Sequence, residues 1–389
     1  MVMLYNILLQ IPLFTMTKKI YIKYFVTIIL VVTSLLNINA QDIDANTPRA
    51  NDKVQKHQIE YQDLGRAGTN VLWNLEDLKV INDNYSVEYA EDPLMPERIK
   101  GIEHGTAYCY DMVGDSLLIG RMENRLTKME YDEKEVWLRF PISYGDSVGG
   151  VFHGRGVYCE RMAMRSIGHY TNVVDATGTL LLPDGGKLDN VTRIKTTRKT
   201  ASVFYPNDSL KVGLSPLTTD SVESLMANCK IIELEIYRWY AKGYRYPILE
   251  MIDIQMPENK GNRSTAFYCS PSTQEQLFYD KTNEETRERI NANGGSTFNP
   301  LSGETGFSYN LYHDKNANNI RLEYHLNNDA QIEYGLYTID GMVMFTSNKQ
   351  TVSKGINITH IDTSSCKKGI YILCIDVNGT MYSEKISLE

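Results

Sequence analysis

Short runs that alternate apolar and polar residues, separated by turn dipeptides, fill the chain from about residue 61 to its last residue. The stretch KIIELEIYRWY, residues 230–240, is the clearest of them. Such a period of two places successive side chains on opposite faces of a strand, and no segment of similar length keeps the three-to-four spacing of an amphipathic helix. The fold class this dictates is all-β: an antiparallel β-rich central domain followed by a small Ig-like β-sandwich. Turn signals fix several hairpins, at Gly114-Asp115, Pro183-Asp184-Gly185 and Ala241-Lys242-Gly243. Asp340-Gly341 and Asn378-Gly379 are dipeptides suited to type I′ turns, whose two central residues both need positive φ. Two polar stretches, SVESLMANC (221–229) and TQEQLFYDKTNEETRERI (273–290), suit short helices or charged loops. The second has no sustained apolar face and reads as a solvated segment.

With 389 residues the chain exceeds the roughly 250–300 that one core supports, so more than one domain is expected. Residues 16–40 have the three parts of an export signal: Lys18, Lys19 and Lys23, then an apolar run from Tyr24 to Leu36, then a small residue at Ala40. The run is shorter than the ~20 residues of a membrane-spanning helix, and cleavage is expected between Ala40 and Gln41. Met16 reads as the start, with Met1 the other choice. After the signal come a loose segment (41–60), the β-rich domain (61–290), a Gly-, Asn- and Ser-rich linker (291–312), and the sandwich (313–389). No second apolar stretch long enough to span a bilayer follows Gln41. The net charge of −8, without a long basic run after residue 50, argues against nucleic acid as a partner.

The final unit carries an ordered set of short motifs: IRLEYHL, YTIDG, GI before NITHID, GIYIL, VNG and EKISL. In that order it resembles the type IX secretion C-terminal sorting domain of type A. The resemblance implies a β-sandwich read by the outer-membrane export machinery of certain Gram-negative bacteria, and hence a cell-surface or extracellular destination. Met342, Cys366 and Cys374 depart from the usual pattern. The central stretches GTNVLWNLEDLKV, TGTLLLPDGGKLDNVTRIKTT and YRWYAKGYRYPILE are similar to segments of uncharacterised secreted proteins with such tails, which implies export and a shared β-fold and no activity.

Chemistry is harder to find. EHGTAYC and FHGRGVYC pair His104 with Cys109 and His153 with Cys159, but an offset of five in one and six in the other does not build one zinc geometry. A Cys109–Cys159 disulfide, which the exported context allows, or a pair of buried thiols is the favoured reading. The glycine-dense YGDSVGGVFHGRGVY lacks the residues of a phosphate loop and reads as a turn plus a β-bulge. Glu233/Glu235 and Glu250/Asp253 are acid pairs; the first lies in an alternating strand and reads as a wet sheet face. Tyr237, Trp239, Tyr244 and Tyr246 form an aromatic run that would stack on a carbohydrate if exposed and fill a hairpin core if buried, and the apolar alternation favours the core. No catalytic, metal or cofactor residues are assigned. The expected function is an exported, non-enzymatic, ligand-binding protein. The alternative is a carbohydrate-active or other hydrolase with a site built from strand ends.

Overall fold

The computed structural model describes residues 43–103, 105–206, 213–257, 261–292, 306–314 and 318–388. Residues 41–389 form one compact unit. A single turn of helix, α1 (Ile43–Asn46), leads into β1 (Lys53–Ile59), β2 (Gly68–Asn74), β3 (Val80–Asp92), β4 (Met95–Glu103) and β5 (Thr106–Val113). Next come β6 (Ser116–Glu123), β7 (Thr127–Arg139), β8 (Ser147–Tyr158), β9 (Met162–Leu181) and β10 (Lys187–Tyr205). Helix α2 (Thr219–Met226) precedes β11 (Ile232–Tyr240), β12 (Leu249–Gln255) and β13 (Asn262–Tyr268), and α3 (Pro271–Glu275) and α4 (Lys281–Ala292) follow.

Twelve of these strands close into a barrel. Its order is β9-β10-β11-β12-β13-β1-β3-β4-β5-β6-β7-β8, and β8 returns to β9. Closure removes the sheet edges that would otherwise stand unpaired. The hairpins form where the turn residues place them: Val113 pairs Ser116 across Gly114-Asp115, and Leu181 pairs Lys187 across Pro183-Asp184-Gly185. The glycine-rich stretch resolves differently from the expectation. Its turn lies at Tyr144-Gly145, but residues 147–158 are one continuous strand in unbroken register with β9. The bulge is on the β7 side, between Tyr131 and Glu133. The glycines serve close approach, since a Cβ on Gly154 would lie 2.6 Å from the Glu130 carbonyl oxygen of β7.

Two segments expected to be loose are ordered. Residues 53–59 are β1, a full member of the barrel between β13 and β3. The stretch read as solvated becomes α3 and α4. Asn283 of α4 donates to the Asp280 carboxylate, and Arg287 donates to the Gly243 carbonyl at 2.6 Å. Polar anchors thus replace the missing apolar face.

The C-terminal strands are β14 (Phe307–Asp314), β15 (Asn319–Leu326), β16 (Ala330–Thr338), β17 (Val343–Thr346) and β18 (Gln350–Val352). They continue with β19 (Gly355–Asp362), β20 (Gly369–Val377) and β21 (Thr380–Leu388). Residues 307–312, placed in the linker by composition, are therefore strand, and β14 pairs along its length with β15. Residues 293–305 of that segment lie outside the described residues. One layer is β14-β15-β19; the other is β17-β16-β20-β21, with β18 beside β16. Tyr371, Leu373 and Ile375 all point into the core between them, as their alternation requires. Asn378 and Gly379 both take positive φ, +53° and +89°. At Asp340-Gly341 only the glycine does (+82°), and the register slips beside it, so that turn is not type I′.

The sandwich is fastened to the barrel. Strand β2 runs parallel to β9 on one side and meets β14 at Val71–Tyr309 on the other. Arg66, just before β2, lies over the Tyr309 ring at 3.8 Å and pairs with Glu384 at 3.3 Å. Thr179 and Ser308 hydroxyls meet at 2.9 Å, and Asn74 donates to Glu323 at 2.9 Å.

Candidate functional site in the barrel interior

Alternation on β11 sends Leu234, Ile236 and Tyr240 into the barrel, and with them Arg238, while Glu235, Tyr237 and Trp239 face outward. Outside, Tyr237, Trp239 and Tyr244 sit in a core shared with Trp73, Ile248 and Leu249 beneath the β2 strap. Trp239 is completely buried and meets Trp73 edge-on at 5.9 Å. Tyr237, Trp239 and Tyr244 are therefore core, the reading that the alternation favours, and the fourth residue of the run, Tyr246, is buried and lines an internal cavity, so the run presents no exposed stacking surface.

That cavity measures about 340 Å³. Aromatic rings from β3, β5 and β7, including Tyr89, Tyr108, Tyr110 and Trp137, form much of its wall. Charged side chains interrupt them in pairs. Lys56 of β1 lies 3.2 Å from Glu103 and 3.9 Å from Glu250. Tyr85 donates its hydroxyl to Glu103 at 2.6 Å. Arg198 pairs with Glu135 at 2.7 Å. Burial by itself would lower the Lys56 pKa, but the two carboxylates outweigh it and the net shift is upward. Burial raises the Glu250 carboxyl, with Glu103 adding to the rise against the pull of Lys56 and Arg238. Burial likewise raises the Tyr89 and Tyr110 phenols, keeping them neutral donors.

One mouth of the barrel is covered by residues 46–52, within the segment expected to be loose. Asn46 donates to the carbonyls of Tyr244 and Arg245 at 3.0 and 3.2 Å. The Tyr246 hydroxyl donates to Asp52 at 2.9 Å. Arg245 holds Asp280 at 2.6 Å, which keeps that carboxyl below its ordinary range despite burial. Asn46, Pro48, Arg245 and Tyr246 all line the cavity from this side.

The acid pairs separate. Glu233 and Glu235 stay on the outer face, bridged to Lys199 at 2.8 Å and Lys195 at 2.7 Å. Glu250 faces the lumen, whereas Asp253, three positions on, is outside and accepts from the Tyr61 hydroxyl. Glu103, Glu135 and Lys56 are cavity residues that sequence reasoning missed. Lys56 was visible only as one position of an alternating KVQKHQI.

Cys109 and Cys159 are both free, so the expected disulfide is not formed. Cys109 is in β5 and Cys159 follows β8, with β6 and β7 between them. Three strand spacings amount to roughly 14 Å, beyond the ~7 Å between Cα atoms that a bridge tolerates. His104, Ala40 and Gln41 lie outside the described residues. His153 stands 3.7 Å from Asp132. Among the described residues no three of His, Cys, Asp and Glu gather as a metal site, and no helix is long and apolar enough to cross a membrane.

Residues 315–389 match the family model of the secretion system C-terminal sorting domain. The match falls on β15–β21, so the sandwich is the sorting tail that its motifs indicate. The chain is an exported protein, sent by the type IX route to the cell surface or beyond. No curated protein is significantly similar to the chain.

Proposed function

We propose that the exported chain is a non-enzymatic binding protein that holds one small molecule inside its barrel, while its tail directs it out of the cell. The observation that carries this reading is the cavity itself: about 340 Å³ of space, walled by aromatic rings and a few convergent ions, inside a closed barrel. Ligand sites have this make-up, with apolar walls for affinity and few polar groups for orientation. Twelve strands enclose more room than side chains fill, as larger barrels do. The test is uptake of the uncharged fluorophore N-phenyl-1-naphthylamine by the full-length chain. Saturable emission that Ile236→Trp abolishes, without loss of cooperative unfolding, supports the reading. Uptake unchanged by that filling substitution sinks it.

One observation favours hydrolysis as a second reading. Glu103 and Glu250 reach a common lysine inside the cavity, and the raised pKa of Glu250 suits a proton donor. Hydrolysis of chromogenic glycosides or esters, lost in Glu250→Gln, would decide for it. Turnover equal to that of Glu250→Gln would decide against it.

A further inference from the structure

The period of two on β12 sets a gradient along the cavity wall. Glu250, Ile252 and Ile254 share its lumen face, and on β11 Ile236 stands opposite Ile252 and Leu234 opposite Ile254. The chamber therefore passes from a polar zone at Glu250 to an apolar wall beyond it. Glu250 is 8 % exposed, and among the described residues its carboxylate accepts no hydrogen bond. Lys56, at 3.9 Å, is too far to donate one and gives its hydrogen bond to Glu103. Tyr110 is 9 % exposed and near enough to Glu250 for the carboxylate to raise its pKa. Its hydroxyl, like those of Tyr89 and Tyr108 in the same wall, has no hydrogen-bond partner among the described residues. Two neighbouring phenols differ: Tyr85 donates to Glu103, and Tyr246 to Asp52.

Buried polar groups without partners are costly, so a molecule that fills this zone gains by offering them hydrogen bonds. The charges decide what kind. The lining cations Lys56, Arg198 and Arg245 each hold a carboxylate, of Glu103, Glu135 and Asp280 respectively. A ligand anion would have to break one of those pairs, or lie unpaired beside Glu103 and Glu250. A ligand cation at Glu250 would face Lys56 and Arg238, both close enough to draw the Glu250 pKa down against burial. A neutral hydroxyl meets neither obstacle, because it can donate to the carboxylate and accept from a phenol.

Building on the barrel interior as a ligand chamber, we propose that its ligand is an uncharged amphipathic alcohol or phenol. The hydroxyl donates to Glu250 and accepts from Tyr110, and the apolar body lies along Leu234, Ile236, Ile252 and Ile254.

The experiment titrates the full-length chain by calorimetry with probes that share one ring system: 2-naphthol, 2-methylnaphthalene, 2-naphthoate and 2-naphthylmethylammonium. The expected result is 2-naphthol binding at least about ten-fold tighter than each of the others. In Glu250→Met, which keeps the side-chain volume, the preference for 2-naphthol over 2-methylnaphthalene should vanish, and Tyr110→Phe should reduce it about three-fold. Equal affinity for those two probes in the unsubstituted protein overturns the hydroxyl inference whatever the variants do. Equal or tighter binding of either charged probe overturns the choice of an uncharged ligand. A preference that persists in both variants overturns the assigned partners. If N-phenyl-1-naphthylamine uptake still responds to Ile236→Trp, the chamber reading survives those failures. If it does not, and no naphthyl probe binds, both fall together.

Discussion

Replacing Lys56 by methionine isolates the electrostatics of the lumen. Lys56 is 7 % exposed and faces two carboxylates at 3.2 and 3.9 Å. At an effective dielectric of ~20 those distances correspond to attractions of about 5 and about 4 kcal/mol. Each ion loses several kcal/mol of hydration on burial, so most of that attraction is offset in the intact protein. Methionine keeps the volume and the desolvated carboxylates but deletes the cation between them. The expected loss of stability is about 3–5 kcal/mol at pH 7, the range for breaking a buried pair from one side.

The pH dependence separates this cause from a packing defect. Glu250 already has a folded-state pKa above its ordinary value. The stability it contributes is therefore full below its unfolded pKa of ~4.3 and is lost as pH rises through the higher folded value. Lys56 opposes that upward shift, so removing it lifts the Glu250 pKa further and widens the window of loss. The Lys56 ammonium titrates far above the range, since its own shift is upward, and it contributes evenly from pH 5 to 8. Urea unfolding of the full-length chain at pH 5, 7 and 8 should show the Lys56→Met penalty growing with pH. A penalty equal at pH 5 and pH 8 would refute the ion-pair reasoning. Lys53→Met, whose Glu88 partner and own side chain are largely exposed, should change little at any pH.

Trp239→Ala should cost about 3–5 kcal/mol, because a fully buried indole leaves a cavity under the β2 strap; the lumen probe should still bind to the fraction that remains folded, because the residue faces away from it. Arg66→Ala removes the stack on Tyr309 and the pair with Glu384, and hydrogen exchange should show β14 amides losing protection before those of β9. Cys159 should react with maleimide in the native protein, whereas Cys109, whose thiol burial raises to about 11, should react only after unfolding; protection of both thiols until reduction would restore the disulfide. Deleting residues 313–389 should trap the chain in the periplasm, read by fractionation, and surface display of that truncation would contradict the sorting role of the tail.

What the sequence disclosed was local, and what it hid was closure. The turn at Asn378-Gly379 and the face shared by Tyr371, Leu373 and Ile375 follow from φ and from a period of two, so both could be read from neighbouring residues. The ring of twelve strands depends on β1 lying between β13 and β3, and on β9 pairing with β8, β10 and the strap β2; no short window contains those partners. Strand β1 was concealed for a chemical reason. Its lumen face carries Lys56 beside Val54, so a strand with a buried inner face looks as polar as a loop. The same inversion hid the site. An alternating strand was expected to have one wet face and one dry one; β11 keeps a wet outer face at Glu233 and Glu235, but at its other end both faces are buried, with Trp239 in the outer core and Arg238 on the inner side. Polar residues pointing into a closed barrel need partners. Lys56, Glu103, Glu250, Arg198 and Glu135 find them in one another, and Arg238 alone among the lumen cations described keeps two donors free.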